Sequence, residues 1–211
     1  SQFRENGLPK TFAADLKGAQ SILDQRRDEA RAYFDAVAPT WREIREATLP
    51  VGEYREQLRR LIPSALSLLE LGCGSGVMLH ELMPRSGKTI GVDHSEAMLQ
   101  EAERLHGAGV ADLRLGNLEH LPVSDNSIDI ALAHMVLHHV PEPREALADA
   151  FRVLKSGGKL IIVDLVTHEN EAMRERFADL WLGFNPDDFR AWVEQVGFKT
   201  CTLASLGRGF P

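Results

Sequence analysis

The sequence predicts an α/β fold, a mostly parallel sheet between two layers of helices, led by a helical extension. Three observations carry this. From residue 63 onward, short apolar runs ending at glycine or aspartate alternate with segments of helical periodicity. About 60 residues of helical pattern come before the first such run. The 211 residues, 44% hydrophobic and 26% charged, suit one domain with a decorated end better than two. Alternating strands and helices demand crossover connections, which make the sheet parallel and cover both its faces.

Residues 1–10 read as a loose arm, broken by Gly7 and Pro9. A helix is expected over 11–36, with Thr11 as its cap and Ala30, Tyr33, Phe34 and Val37 recurring at helical spacing. Pro39 interrupts it. A short second helix holds Trp41, Ile44 and Arg45, and Pro50 and Gly52 break again. A third, over 53–61, carries Tyr54, Leu58, Leu61 and Ile62 and stops at Pro63. Residues 1–62 are thus a helical extension, and 63–211 the sheet domain. In that domain 67–71 is a buried parallel strand and 77–83 a helix. Residues 89–92 form the next strand, ending at Asp93, and Ser95 caps a helix through Leu105. Strands follow at 113–115 and 127–133. Pro143 opens a helix through Leu154, and Gly157-Gly158 turns into a fifth strand over 159–164. A helix over 169–182 comes next. Asn185 caps a last helix over 186–196, Gly197 stops it, and 198–203 reads as a sixth strand.

The net charge of −7 and pI near 5.6 disfavour a duplex-binding surface, which needs clustered Lys and Arg. Cys73 and Cys201 lie far apart without metal-ligand spacing, which suggests a reduced compartment. No apolar run approaches the roughly 20 residues of a membrane span, and no basic-then-apolar leader is seen. The expectation is a cytoplasmic protein. Ser1 in place of Met suggests a trimmed chain or a tag remnant.

The informative segment is Glu70-Leu71-Gly72-Cys73-Gly74-Ser75-Gly76, between the first strand and the first core helix. Glycines there permit positive φ and let a ligand touch the backbone, and the helix start adds free N–H groups. Asp93 follows Gly72 by 21 positions, at the end of the second strand, where a carboxylate can accept from both hydroxyls of a ribose. The layout is Rossmann-like, but the spacing is G-x-G-x-G, with Val77 in place of the last dinucleotide-fingerprint glycine. Glu70, two before the first glycine, would repel a pyrophosphate and favour a cationic amino-acid tail with a sulfonium. S-adenosylmethionine is therefore preferred over a nicotinamide cofactor, and a nicotinamide-dependent oxidoreductase is the weaker reading.

ELGCGSG, GVDHSEAML, GNLEHLP, SIDIALAHMVLHHV and RVLKSGGKLIIVD, in that order over about 64–165, closely resemble the successive motifs of class I S-adenosylmethionine-dependent methyltransferases. The branch resembled includes the ubiquinone and menaquinone C-methyltransferases. The resemblance implies that Glu70, Gly72 and Gly74 line the methionine end. It implies that Asp93 takes the ribose hydroxyls, with His94 and Met98 flanking the adenine. Asn117, where relatives often have Asp, and Leu118 lie by the adenine, and His134 near the reaction centre. The product would be S-adenosylhomocysteine, and the acceptor, a small molecule by expectation, stays unidentified together with any base.

The leading segment from Arg26 to Trp41 resembles methyltransferase regions fused behind arsenic-repressor-type winged-helix domains. That leaves the alternative of an S-adenosylmethionine-sensing module in a larger regulator. The leading helices are expected to form a lid, with Tyr33 and Trp41 facing the pocket and His138 a further acceptor-side candidate. The same apolar stripe would otherwise make a homodimer. His134, His138 and His139 invite a metal or general-base reading, and His134 and His138, four apart, suit a metal on a helix; without another ligand cluster a structural or cofactor-packing role is expected, and no metal. The class I sheet resembled has seven strands, so the chain is expected to lack the seventh or to borrow one.

Overall fold

The strands β1 (Leu66–Leu71), β2 (Ser86–Asp93), β3 (Asp112–Leu115), β4 (Ile128–His134) and β5 (Leu154–Val163) form one sheet. They pair in parallel in the order β3-β2-β1-β4-β5. A computed structural model describes residues 10–48, 51–64, 66–83 and 86–206, so the arm at 1–9, Pro50 and 207–211 lie outside the described residues. The helices are α1 (Lys10–Val37), α2 (Trp41–Thr48), α3 (Val51–Leu61), α4 (Val77–Leu82), α5 (Glu96–His106), α6 (Pro143–Val153), α7 (Ala172–Phe177) and α8 (Pro186–Val196), with single 3-10 turns at Ala38–Thr40 and Leu137–His139.

Central strands buried on both faces need mostly apolar residues, and β1 and β4 supply them, with Glu70 and His134 the polar exceptions near their carboxyl ends. Leu69, Leu71, Ala131 and Ala133 meet Ala146, Leu147, Ala150 and Val153 of α6, with Phe189 and Val193 of α8 behind. Leu68, Ile130 and Leu132 point the other way, onto Tyr54 and Leu58 of α3, Ile62 just beyond it, and Met78 and Leu82 of α4. The spacing of the four α6 residues makes the single apolar stripe of a helix laid on a sheet. Ser95 caps α5 by accepting from the Met98 N–H at 3.1 Å, and Asn185 caps α8 through the N–H groups of Asp187 and Asp188.

The chain builds β1, β2 and β3 outward, then returns to place β4 on the other side of β1. The connections leaving the carboxyl ends of β1 and β4 therefore diverge, opening a crevice between them, which is where ligands sit in such sheets.

Several expectations need correction. The long first helix already runs from Lys10, so Thr11 is inside it, and Gly52 falls within α3. Strand β5 starts at Leu154 and absorbs Gly157-Gly158 as an irregularity in its pairing with β4. The helix expected over 169–182 shrinks to α7, because Ala178 turns left-handed at φ 57. Residues 198–206 form no strand. After Gly197 the chain lies along helices, with Phe198 edge-on to Phe151 of α6 at 4.9 Å, and a strand without a hydrogen-bonding neighbour gains nothing from extension. Among the described residues the sheet has neither a sixth nor a seventh strand. No helix there is long and apolar enough to cross a membrane.

Candidate active site

Two cavities occupy the crevice, of about 700 and 670 Å³ including their mouths. Trp41, Gly72, Gly74, Met135 and His139 line both, so the two are halves of one cleft.

The turn after β1 is held open by backbone geometry. Gly72, Gly74 and Gly76 all have positive φ, at 65°, 51° and 73°. A Cβ on Gly72 would overlap Val136, and one on Gly74 would sit 3.4 Å from Trp41 Nε1. The turn is fastened to β2 by the Gly74 N–H donating to Asp93 Oδ2 at 2.8 Å and the Cys73 N–H donating to the Val92 carbonyl at 3.0 Å. Asp93 Oδ1 accepts from the Ser95 N–H at 2.9 Å, so one carboxylate orients both the glycine turn and the start of α5. Burial raises its pKa, and His94 and these N–H donors oppose the rise.

The second cavity takes Asp93, His94, Met98, Asn117 and Leu118 together with Phe34, Ala30 and Arg27 of α1. Arg27 Nε reaches Glu119 Oε1 at 3.1 Å, and Phe34 packs edge-on to Trp41 at 5.4 Å and to His139 at 4.9 Å. Phe34, Ala30, Arg27 and Glu119 were missed in the sequence, although Phe34 and Ala30 belong to its helical stripe.

The first cavity takes Glu70, His134 and His138. Glu70 is buried and its Oε2 has no hydrogen-bond partner. Burial pushes its carboxyl up to about 8; the Arg45 charge works against that shift and the Asp93 charge with it. His134 closes β4, and its Nε2 lies 3.0 Å from the Tyr54 hydroxyl of α3. Burial, helped by the Arg45 charge, depresses it to about 3, so it is neutral at ordinary pH. The far wall is Leu165, Met173, Phe177, His139 and Asp179, of which the sequence singled out only His139.

His134 and His138 do not share a helix: the first ends a strand and the second sits in the 3-10 turn Leu137–His139. Asp164 fixes that turn, its Oδ2 accepting from the Leu137 N–H at 2.9 Å while Oδ1 meets His138 Nδ1 at 2.6 Å. Tyr33, expected to face the pocket, lines neither cavity. Its hydroxyl donates to the Arg176 carbonyl at 2.7 Å, tying α1 to α7. Trp41 does face the cleft. Much of the apolar stripe of the extension is covered by the chain's own core, while Ile22 and Leu61 stay exposed: Phe34 and Ala38 pack with Met98, and Tyr54, Leu58 and Ile62 sit under the sheet.

The methyltransferase-domain family matches residues 69–162, the stretch that supplies the glycine turn, Asp93, Asn117 and His134 of this cleft. A demethylmenaquinone methyltransferase of Renibacterium salmoninarum is 32% identical over 69% of this chain and 62% of its own length. An uncharacterised 37.1 kDa transposon protein of Streptomyces fradiae is 42% identical over 46% of this chain and 29% of its own. The chain thus spans less than two thirds of these relatives. The solved structure of DhpI in complex with SAH shares the fold, with a TM-score of 0.68 at 21% identity over 86% of this chain and 92% of that one. With its parallel sheet, glycine turn and ordered motifs, the stretch 69–162 is a methyltransferase domain of the class I type, similar in sequence to demethylmenaquinone and ubiquinone/menaquinone C-methyltransferases.

Proposed function

We propose that the chain transfers a methyl group from S-adenosylmethionine to a small-molecule acceptor held in the far half of the first cavity. The observation that carries this is the cleft itself, two chambers joined at Gly72, Gly74, Trp41 and Met135 with a buried unpartnered carboxylate oxygen on Glu70 in one of them. The residues fit the cofactor. Glu70 offers an orphaned acceptor for an ammonium, and glycines stand where a Cβ would overlap a neighbour or close on Trp41. Asp93 is the acceptor for ribose hydroxyls, His94 and Met98 flank the adenine, and Asn117 and Leu118 border it.

When bound, the cofactor supplies an electrophilic methyl on a sulfonium. The chain's own part is alignment and exclusion of water. Trp41 presents an aromatic face to the cationic end. His134, neutral and tied to Tyr54, is a fixed wall and not a charge. Leu165, Met173 and Phe177 give the acceptor an apolar berth, with His138 at its polar end. The relatives named for demethylmenaquinone support a small, partly apolar acceptor. A cytoplasmic location is supported by the free cysteines, of which Cys73 is buried.

The test is binding and turnover with labelled S-adenosylmethionine against a panel of quinols, phenols and amines. Transfer that is lost in Trp41→Ala and Gly74→Leu supports the reading. Tight binding without transfer to any of them would favour a sensing module instead.

A further inference from the structure

We propose that His138, His139 and Asp179 bind one divalent cation of the zinc type on the acceptor wall of the first cavity. One ligand atom from each of the three side chains lies within 4.8 Å of the others, and all three side chains are buried. Asp179 Oδ1 is 3.8 Å from His138 Nε2 and 3.7 Å from His139 Nδ1. Those separations are too long for hydrogen bonds. They approach the spacing of ligands on a shared cation, about 3.4 Å for two ligands at about 2.1 Å in tetrahedral geometry.

The second observation is independent of these distances. Both Asp179 oxygens lack a hydrogen-bond partner, and its side chain is 0% exposed. A buried carboxylate without a hydrogen bond is costly, so a group that satisfies it is expected.

The third is the orientation of His138. Asp164 Oδ1 meets its Nδ1 at 2.6 Å and also accepts from the Leu165 N–H at 2.8 Å, while Oδ2 holds the Leu137 N–H. A carboxylate so anchored selects the Nδ1–H tautomer and leaves the Nε2 lone pair facing Asp179, the arrangement of a carboxylate behind a metal-bound histidine. His139 Nδ1 also meets the Ala178 carbonyl at 3.3 Å, a contact that coordination would release. Two imidazoles and a carboxylate suit zinc-type cations and not magnesium or calcium. Since all three residues line the cavity, the cation keeps a position open to an oxygen or nitrogen of the acceptor. Cation binding is measured without turnover, so its failure is distinct from failure of the methyltransferase reading.

The experiment uses the full chain, freed of any tag and stripped with EDTA, titrated with Co²⁺ by visible absorption and with Zn²⁺ by calorimetry. One Co²⁺ per chain with inner-sphere d–d bands is expected. The bands should vanish in Asp179→Asn and in His139→Gln, and Asp164→Asn should weaken binding roughly 10–100-fold. They should be unchanged in His80→Ala, which removes the exposed partner of the stacked His80–His106 pair. Circular dichroism in EDTA checks that each variant folds, and two ligand variants guard against the loss of one. No stoichiometric binding, equal binding in both ligand variants, or loss in His80→Ala would each overturn the site.

Discussion

At Glu70 the demands of folding and of binding oppose each other. Its carboxyl ionises near 4.5 when free and near 8 in the fold, where burial disfavours the charge. Between those values the folded chain keeps a proton that the unfolded chain has released, so stability declines as pH rises through that window. Glu70→Gln should therefore raise the apo melting temperature at pH 8 and match the wild type below about 4.5. The same variant should bind S-adenosylmethionine about 10–100-fold more weakly, since a charged hydrogen bond contributes about 1.5–3 kcal/mol. A lower melting temperature at pH 8 would mean that the chain itself satisfies the carboxylate. Asp93→Ala should show the same range of affinity loss in calorimetry, with a change below about twofold arguing against ribose contact. Gly74→Leu combines a disfavoured φ of 51° with a side chain that enters the cleft beside Trp41, and binding should be abolished.

Among the elements, α1 and α2 add Arg27, Ala30, Phe34, Trp41 and Arg45 to the cleft lining supplied by the core. Contacts that hold α1 there include Tyr33 to the Arg176 carbonyl, Arg27 to Glu119, Ser95 Oγ donating to Asp35 at 2.5 Å, and Phe34 against Trp41 and His139. Tyr33→Phe removes a single hydrogen bond, a loss of about 1 kcal/mol, and should speed proteolysis within α1 and α7 without altering the core. Because Ala30, Phe34 and Trp41 wall the second cavity, deletion of residues 1–50 should weaken cofactor binding as well as abolish transfer. Trp41 fluorescence, isolated by subtracting the signal of Trp41→Phe, should shift on cofactor addition. A silent Trp41 combined with a fully active truncation would remove the lid role.

For the whole molecule, the cleft is where the elements of both layers meet, so ligand binding reports on the entire fold. S-adenosylhomocysteine at 100 times its dissociation constant should add about 2.7 kcal/mol of stability. For a chain of this size that corresponds to a rise of roughly 5–10 °C in melting temperature, read by calorimetry or dye fluorescence. The apolar stripe of the leading helices is buried against the chain's own core at Ala30, Phe34, Tyr54, Leu58 and Ile62, which removes the argument for dimerisation through those residues.

The sequence by itself determined the fold class, the strands β1 to β5, and the glycine turn with Asp93 one strand away. These are local matters: apolar runs bury, positive φ requires glycine, and a parallel strand must be followed by a crossover. Only the tertiary structure decided the rest. The sixth strand failed because extension needs a neighbour to pair with, and composition cannot reveal one. Tyr33 and Trp41 looked equivalent along a helical stripe, yet one ties helices together and the other lines the cleft, a difference set by how α1 lies on the sheet. Asp179 sat inside an apparent helix. The N–H groups of Leu180 and Trp181 donate to the His138 carbonyl, and this long-range anchor accompanies the left-handed turn at Ala178 that carries the carboxylate to two histidines 40 positions earlier. No periodicity encodes a contact of that kind, because its energy comes from groups that meet only once the chain has folded.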